Sequence, residues 1–210
     1  MKKVMVISSV LLGVVLLSGC GQQPVNQTRP TAPAPESNIS NIFTDSFVGY
    51  EIKYPASWIV SKNETSTISD SEGGKVSRVV ISSNADGSLP DVGIYSMNIG
   101  QTAATIKTGK PIVDMTATDA IGEIKKTYLE SGRKIYDEGE YVYKFADGST
   151  VTGKQLKSES SGNGITTKEW LIVIVNGKDI FRFKFRANLN QYDAESKITR
   201  SMLDSWKISK

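Results

Sequence analysis

The chain has 210 residues, with 25 lysines and arginines against 22 aspartates and glutamates, one cysteine and no histidine. Histidine is the commonest general base and neutral metal ligand, so its absence disfavours hydrolase triads and zinc sites. One cysteine allows no internal disulfide. The near balance of charge gives no reason to expect nucleic acid as a partner.

The N-terminus has the pattern of a secretory signal. Two lysines precede an apolar run over residues 4–17, shorter than the ~20 residues that a membrane-spanning helix needs. The run closes in Leu17-Ser18-Gly19-Cys20, which resembles the bacterial lipobox. That resemblance implies a signal peptide at residues 1–19, cleavage between Gly19 and Cys20, and attachment of diacylglycerol and a further acyl chain, such as palmitate, at Cys20.

Lipidation of Cys20 would place the protein on the extracytoplasmic side of a membrane. Two or more acyl chains, at ~0.8 kcal/mol per buried CH₂, hold a protein far more firmly than one. We therefore expect a cell-envelope lipoprotein attached to the membrane through Cys20, with an uncleaved N-terminal anchor as the alternative. Loss of the two signal-peptide lysines leaves 23 basic against 22 acidic side chains, so the processed chain is nearly neutral.

Residues 20–41 have the composition of a linker. They contain four of the seven prolines and almost no large apolar side chains, so they cannot build a core. We expect a lipidated N-terminus and proline-rich tether here, and the alternative is a proline-rich ligand for another module. Residues 42–210 remain, a length that suits one domain with a sizeable core.

The front half of this domain is predicted to be β-rich. Tyr50, Ile52 and Tyr54 alternate with charged residues before Pro55, which is typical of a strand that ends in a turn. Further strands are indicated at residues 58–60, 76–81 and 94–99. Clusters of glycine, serine, asparagine and aspartate separate them.

A helix is predicted at residues 116–131. Ile121, Ile124 and Tyr128 recur at helical spacing, Thr116 or Thr118 can cap the start, and Gly132 suits the position after the end. Residues 141–145 then form a strand, residues 146–149 a turn, and a polar strand continues through Val151 and Leu156.

The clearest hairpin joins residues 170–175 to residues 180–186 through an Asn-Gly turn. The second arm alternates phenylalanines with Arg182, Lys184 and Arg186, whereas the first arm is apolar on both faces. A strand that is buried on both faces needs cover on both sides, and a second helix is predicted at residues 191–203. The result is an α+β fold, an α/β/α sandwich around a mainly antiparallel sheet, with residues 205–208 returning to the core surface.

Residues 47–58, Phe-Val-Gly-Tyr-Glu-Ile-Lys-Tyr-Pro-Ala-Ser-Trp, resemble the opening motif of the PsbP-like superfamily. Residues 181–185 and the segment 201–208 resemble its final strand and helix. The resemblance implies the same α/β/α sandwich. It also implies non-enzymatic accessory proteins that dock on larger assemblies, including photosystem II in photosynthetic members. The matching residues mostly serve packing, so only the fold is transferred.

Two short motifs imitate known signatures but lack essential parts. Residues 148–154 fit the first seven positions of a P-loop, yet Gln155 occupies the position of the Mg²⁺-binding serine or threonine. Ser131 and Lys134, with residues 107–109, match two penicillin-binding motifs in reversed order. We expect a hairpin at the first motif and a helix end at the second.

Two polar segments offer oxygen ligands for a cation. The first is a loop with Asn84, Asp86 and Asp91, but Ser82 and Gly93 stand where an EF-hand needs its first and last carboxylates. The second holds neighbouring carboxylates, at Asp137, Glu138 and Glu140. We expect a turn and a solvated strand at these places, and predict neither a metal nor a cofactor.

Arg182, Lys184 and Arg186 form a basic stripe, a candidate surface for a partner or an anion. The alternative is protection of an edge strand against aggregation, with Glu169 pairing across the hairpin. We expect a non-enzymatic binding or assembly module that holds a protein partner in the envelope. The alternatives are an envelope hydrolase that uses carboxylate and serine residues, and a lipoprotein that binds an ion or small ligand.

Overall fold

The computed structural model describes residues 38–67, 74–98 and 114–209. The predicted signal peptide, its cleavage site, the lipid attachment site Cys20 and most of the predicted tether lie outside these ranges. Ile99, the last residue of the strand predicted at residues 94–99, and residues 107–109 also lie outside them.

The described residues form ten strands and two helices. In chain order these are β1 (Ile39–Asp45), β2 (Tyr50–Pro55), β3 (Ile59–Thr67), β4 (Lys75–Ser82), β5 (Asp91–Asn98), α1 (Ala117–Glu130), β6 (Lys134–Lys144), β7 (Thr150–Gly162), β8 (Ile165–Asn176), β9 (Asp179–Asn188), α2 (Leu189–Ser205) and β10 (Lys207–Ile208). The first strand, β1, begins within the last residues of the segment that composition assigns to the tether.

Every strand pair in the described residues is antiparallel. Seven strands form one sheet in the order β3-β4-β5-β9-β8-β7-β6, and β1-β2-β10 form a second. The expected α+β class with a mainly antiparallel sheet is confirmed. The apolar strand β8 is central, between β9 and β7, and Trp170 to Ile174 are all buried.

One face of the large sheet packs against α2 and the small sheet. Phe181, Phe183 and Phe185 of β9 share a core cluster with Met202 of α2 and Ile52 of β2. Trp206 lies among the aromatic rings of this core, with ring centroids 5.8–6.4 Å from those of four neighbours. The returning chain therefore enters the core itself.

Helix α1 packs against the large sheet through a second group of buried residues. Leu171 and Val173 of β8 form a second cluster with Leu156 of β7 and with Met115 and Ala120. Most contacts of α1 with the sheet are made to β6, β7 and β8.

Helix α1 begins as the sequence predicts. The Thr116 side chain accepts a hydrogen bond from the Asp119 backbone N–H at 3.2 Å, and the Asp119 carboxylate accepts one from the Thr116 backbone N–H at 2.8 Å. This capping box satisfies two otherwise unpaired donors. Gly132 follows the helix with φ +77°, a conformation that L side chains rarely adopt.

Candidate binding cavity

The basic stripe of β9 lies in the interior of the sheet, between β5 and β8. The edge-protection hypothesis is therefore wrong, because β9 has no free edge to protect. Arg182, Lys184 and Arg186 are half-buried and line a cavity of about 760 Å³. Strands β4, β5, β8 and β9 form its floor, and α1 forms one wall.

The strand register gives the three cations different neighbours. Arg186 lies opposite Asp91 of β5 on one side and opposite Glu169 of β8 on the other. Lys184 lies opposite Gly93 and Leu171, neither of which carries a charge. Directly paired residues on one face of a sheet have Cβ atoms about 5 Å apart, so these neighbours decide which cation is neutralised.

Arg186 forms a structural ion pair with Asp91. Its Nε donates to Asp91 Oδ1 at 3.0 Å and its Nη2 donates to Asp91 Oδ2, a two-pronged contact with a carboxylate that is only 2% exposed. This hydrogen bonding is the main reason that the pKa of Arg186 is raised. Arg186 therefore stabilises the fold through this ion pair.

Glu169 anchors the end of α1 to the sheet. Its carboxylate is 2% exposed, accepts a hydrogen bond from the Tyr128 hydroxyl and lies 3.4 Å from Arg133 Nη2. The Arg133 guanidinium also stacks 4.5 Å from the centroid of the Tyr128 ring. Burial, together with the nearby carboxylate of Glu169, raises the pKa of Tyr128, which stays a hydrogen-bond donor. The helical wall of the cavity is thus held in place.

Lys184 is a half-buried cation of the cavity lining. Within the described residues its Nζ makes neither an ion pair nor a hydrogen bond. Burial lowers the pKa of Lys184. This effect outweighs that of the nearby carboxylates of Glu169 and Asp91, which raise the pKa. A Cβ at the opposing Gly93 would lie 3.7 Å from Lys184 Cε, so the glycine leaves open space beside the ammonium stem.

Arg182 is only partly satisfied. Its guanidinium lies 5.2 Å from the centroid of the Tyr95 ring, and its Nε is buried without a hydrogen-bond partner. Burial lowers the pKa of Arg182 as well. A buried donor without an acceptor is costly, and Lys184 beside it is a half-buried cation without an ion pair, so the two side chains together favour an anion in the cavity.

The charged residues that line the cavity have a net charge of +2. The positive ones are Arg78, Arg182, Lys184 and Arg186, and the negative ones are Asp91 and Glu123. Apolar side chains that include Val80, Met115, Ile124 and Leu171 supply much of the remaining surface. The cavity therefore combines a positive floor with apolar walls.

The short motifs belong to ordinary structural elements. Residues 148–154 span the β6-β7 turn and the start of β7, with no helix after them, so the expected hairpin is confirmed. Ser131 is the C-cap of α1, and the Asp86 carboxylate accepts a hydrogen bond from the Ser88 backbone N–H at 2.8 Å.

The acidic segment of β6 is engaged in surface ion pairs. Asp137 pairs with Lys157 at 2.6 Å, Glu138 with Lys125 at 2.6 Å, and Glu140 with Lys154 at 3.2 Å. In the part of the chain that the structure describes, no three acidic, histidine or cysteine side chains come close enough to hold a metal ion. No described helix is long and apolar enough to cross a membrane.

The fold of the described residues is similar to that of a solved structure. The mainly antiparallel sheet with two helices defines an α+β protein. The solution structure of cyanobacterial PsbP from Synechocystis sp. PCC 6803 then matches with a TM-score of 0.50 at 17% identity, covering 80% of this chain and 92% of that chain. The fold is PsbP-like, as residues 47–58 imply, and at this identity the match shows the fold alone.

Two other solved structures match with lower scores. A crystal structure from Bacteroides thetaiotaomicron VPI-5482 has a TM-score of 0.42 at 13% identity, covering 82% of this chain and 49% of that chain. A protein of unknown function from Pseudomonas aeruginosa has a TM-score of 0.35 at 8% identity, covering 77% and 93%. No protein-family model and no curated protein matches the chain.

Proposed function

We propose that this protein is a lipoprotein, anchored through Cys20 to the extracytoplasmic face of a membrane, whose PsbP-like domain is a non-enzymatic binding or assembly module. The apolar run followed by the lipobox-like Leu17-Ser18-Gly19-Cys20 supports the anchor. The proline-rich segment that follows supports a spacer between membrane and domain.

The domain of this proposal is an α/β/α sandwich. Neighbouring residues of β8 support it, because Ile172 belongs to the core cluster with α2 whereas Leu171 and Val173 belong to the cluster with α1. Successive side chains of a strand point to opposite faces, so the two helices contact opposite faces of the sheet.

The main support for the binding role is the positive charge in the cavity that no ion pair neutralises. Arg186 is neutralised by Asp91, but Lys184 lies half-buried without a carboxylate partner and Arg182 keeps an unsatisfied donor. Burying charge without a partner destabilises a fold, and strained or uncompensated groups of this kind concentrate at functional sites.

The cavity favours binding over hydrolysis. Its described lining includes neither a serine nor a cysteine, and the hydroxyl of its threonine, Thr127, donates to the Glu123 backbone carbonyl at 3.1 Å. Of its two carboxylates, Asp91 is held by Arg186 and Glu123 lies on the α1 wall. A nucleophile within hydrogen-bond reach of a base is the minimum for covalent hydrolysis. The lining residues supply cations and apolar surface instead.

Metabolic labelling tests the anchor. Cells that express the wild-type chain or a Cys20→Ser variant are grown with radioactive palmitate, and the protein is then isolated from membrane and soluble fractions. We expect label and membrane attachment in the wild type and loss of both in Cys20→Ser. Equal labelling of the two chains would contradict the lipoprotein assignment.

Crosslinking in the native membrane tests the binding role. The wild type is compared with Lys184→Glu, which reverses the unpaired charge, and with Lys144→Glu, an exposed position of β6 outside the cavity lining. Arg186 is left unchanged because a carboxylate there would face Asp91 and Glu169. We expect a crosslinked partner or bound ligand that Lys184→Glu loses and Lys144→Glu retains. Identical products from all three chains would contradict a role for this cavity.

A further inference from the structure

We infer that the cavity beside α1 binds a small amphipathic acid, a molecule with one carboxylate or phosphate group and a compact apolar body. This inference deepens the proposed binding function by naming the class of ligand. It depends on which charges of the cavity floor form ion pairs, on the apolar side chains of the walls, and on the volume of the cavity.

The anionic group of the ligand is assigned to Lys184 and Arg182. Residues two apart on one face of a strand lie about 7 Å apart, so one carboxylate or phosphate can be reached from both side chains. Both lack a carboxylate partner among the described residues. The Lys184 ammonium and the Arg182 guanidinium, which both line the cavity, therefore offer charged donors to one acceptor group.

The apolar body of the ligand is assigned to the walls. Ile124 and Ala120 of α1 face the cavity from one side, and Val80 and Leu171 of the sheet contribute from the floor. Transfer of apolar surface from water to such walls contributes affinity in proportion to the buried area. A bare inorganic anion would leave this surface unused.

The size of the cavity favours a small molecule over a protein surface. Its volume of about 760 Å³ lies within the range of roughly 300–1,000 Å³ that is typical of small-ligand sites. Lys184 and Arg182 are half-buried at its floor, beside the α1 wall.

The binding experiment uses probes that differ only in the head group. The full chain, in phosphatidylcholine nanodiscs with empty discs as the blank, is titrated by calorimetry with 3-phenylpropionate and 2-phenylethyl phosphate. The uncharged 3-phenylpropionamide and the cation 3-phenylpropylamine are the matched comparisons, and acetate and inorganic phosphate test the head group alone. We expect at least one of the two amphipathic acids to bind roughly 10-fold or more tightly than every comparison probe.

Two cavity variants are expected to act in opposite directions. Lys184→Met removes a cation and should weaken binding of the acid roughly 10- to 100-fold. Glu123→Gln removes a wall carboxylate whose side chain makes no hydrogen bond or ion pair among the described residues, and should tighten it roughly 2- to 5-fold. The control substitutions Lys144→Met and Glu130→Gln, at exposed positions outside the lining, should leave binding of the acid unchanged.

The outcomes separate this inference from the proposed function. Equal binding of the acids and the amide, or a shift in the same direction for Lys184→Met and Glu123→Gln, overturns the assignment of the anionic group. If no probe binds but Lys184→Glu still loses a crosslinked protein, the cavity receives a protein partner, and the small-ligand inference fails while the binding module stands. If the acid binds as expected but Cys20 carries no lipid, the inference stands and the anchor fails.

Discussion

Lys184→Met is expected to stabilise the folded protein. The lysine is half-buried without an ion-pair partner in the described residues, so its charged form is less favourable in the fold than in the unfolded chain. Methionine keeps the apolar stem and has no charge to desolvate. Replacement of buried ionic groups by apolar ones of similar volume is often neutral or stabilising by about 1–4 kcal/mol. Because Lys184 keeps partial contact with water, we expect about 1 kcal/mol in the free energy of unfolding.

Thermal and urea unfolding measure this gain. For a domain of this size, about 1 kcal/mol corresponds to a rise in Tm of about 2–4 °C. Lys144→Met, an exposed control, should change the free energy of unfolding by less than about 0.5 kcal/mol. A Lys184→Met protein that is less stable than the wild type would show that the lysine is compensated in the fold, and would refute the reasoning.

The pH dependence of the same pair supplies a second measurement. The charged or titratable groups around Lys184 are Glu169, Asp91, Arg186, Arg182, Arg78, Glu123, Tyr95 and Tyr128. They are common to both proteins, so the difference in stability isolates the lysine. Its folded pKa is lowered, so the folded protein releases this proton at a lower pH than the unfolded chain does. The stability of the wild type therefore rises relative to that of Lys184→Met as pH increases from the folded pKa towards ~10.4. The stability advantage of Lys184→Met becomes smaller over this range.

Three further substitutions test the surrounding structure by urea unfolding. Asp91→Asn should cost about 2 kcal/mol because Arg186 loses a buried, two-pronged ion pair, and an unchanged midpoint would contradict that role. Gly153→Ala should cost about 1–3 kcal/mol because the new methyl group would clash with the Val173 carbonyl oxygen, whereas Gly139→Ala has open space and serves as the control. Tyr143→Phe should cost about 1–3 kcal/mol, because the tyrosine hydroxyl both donates to and accepts from the backbone around β10. A Tyr143→Phe protein as stable as the wild type would show that water replaces the hydroxyl.

Local signals in the sequence were sufficient where one chemical pattern decides the structure. The start of α1 depends on Thr116 and Asp119, three residues apart; Thr116 is one of the two caps that the sequence predicts, and Asp119 completes the capping box. The β8-β9 hairpin depends on the Asn-Gly turn, and Gly177 has the expected positive φ of 58°. Both patterns act over a few residues, so tertiary contacts were not needed to predict them.

The long strand β6 was only partly predictable. Its first half, residues 134–140, carries charges on both faces and has no apolar alternation. It is a strand because β7 pairs along its whole length and because lysines of β7 meet two of its carboxylates. Strand β1 is similar, since its pairing with β2 is absent from any local pattern. Such segments depend on a partner that only the folded sheet supplies.

The sequence by itself determined that Arg182, Lys184 and Arg186 share one face of a strand, because side chains alternate with a period of two. It also indicated the central position of β8, because a run of apolar residues must be covered on both faces. Only the tertiary structure decided which of the cations stays without a partner. The β8-β9 hairpin places Glu169 beside Arg186 and Leu171 beside Lys184. Asp91 and Gly93 come from β5, which is far from β9 in the chain, so their positions beside Arg186 and Lys184 depend on long-range pairing.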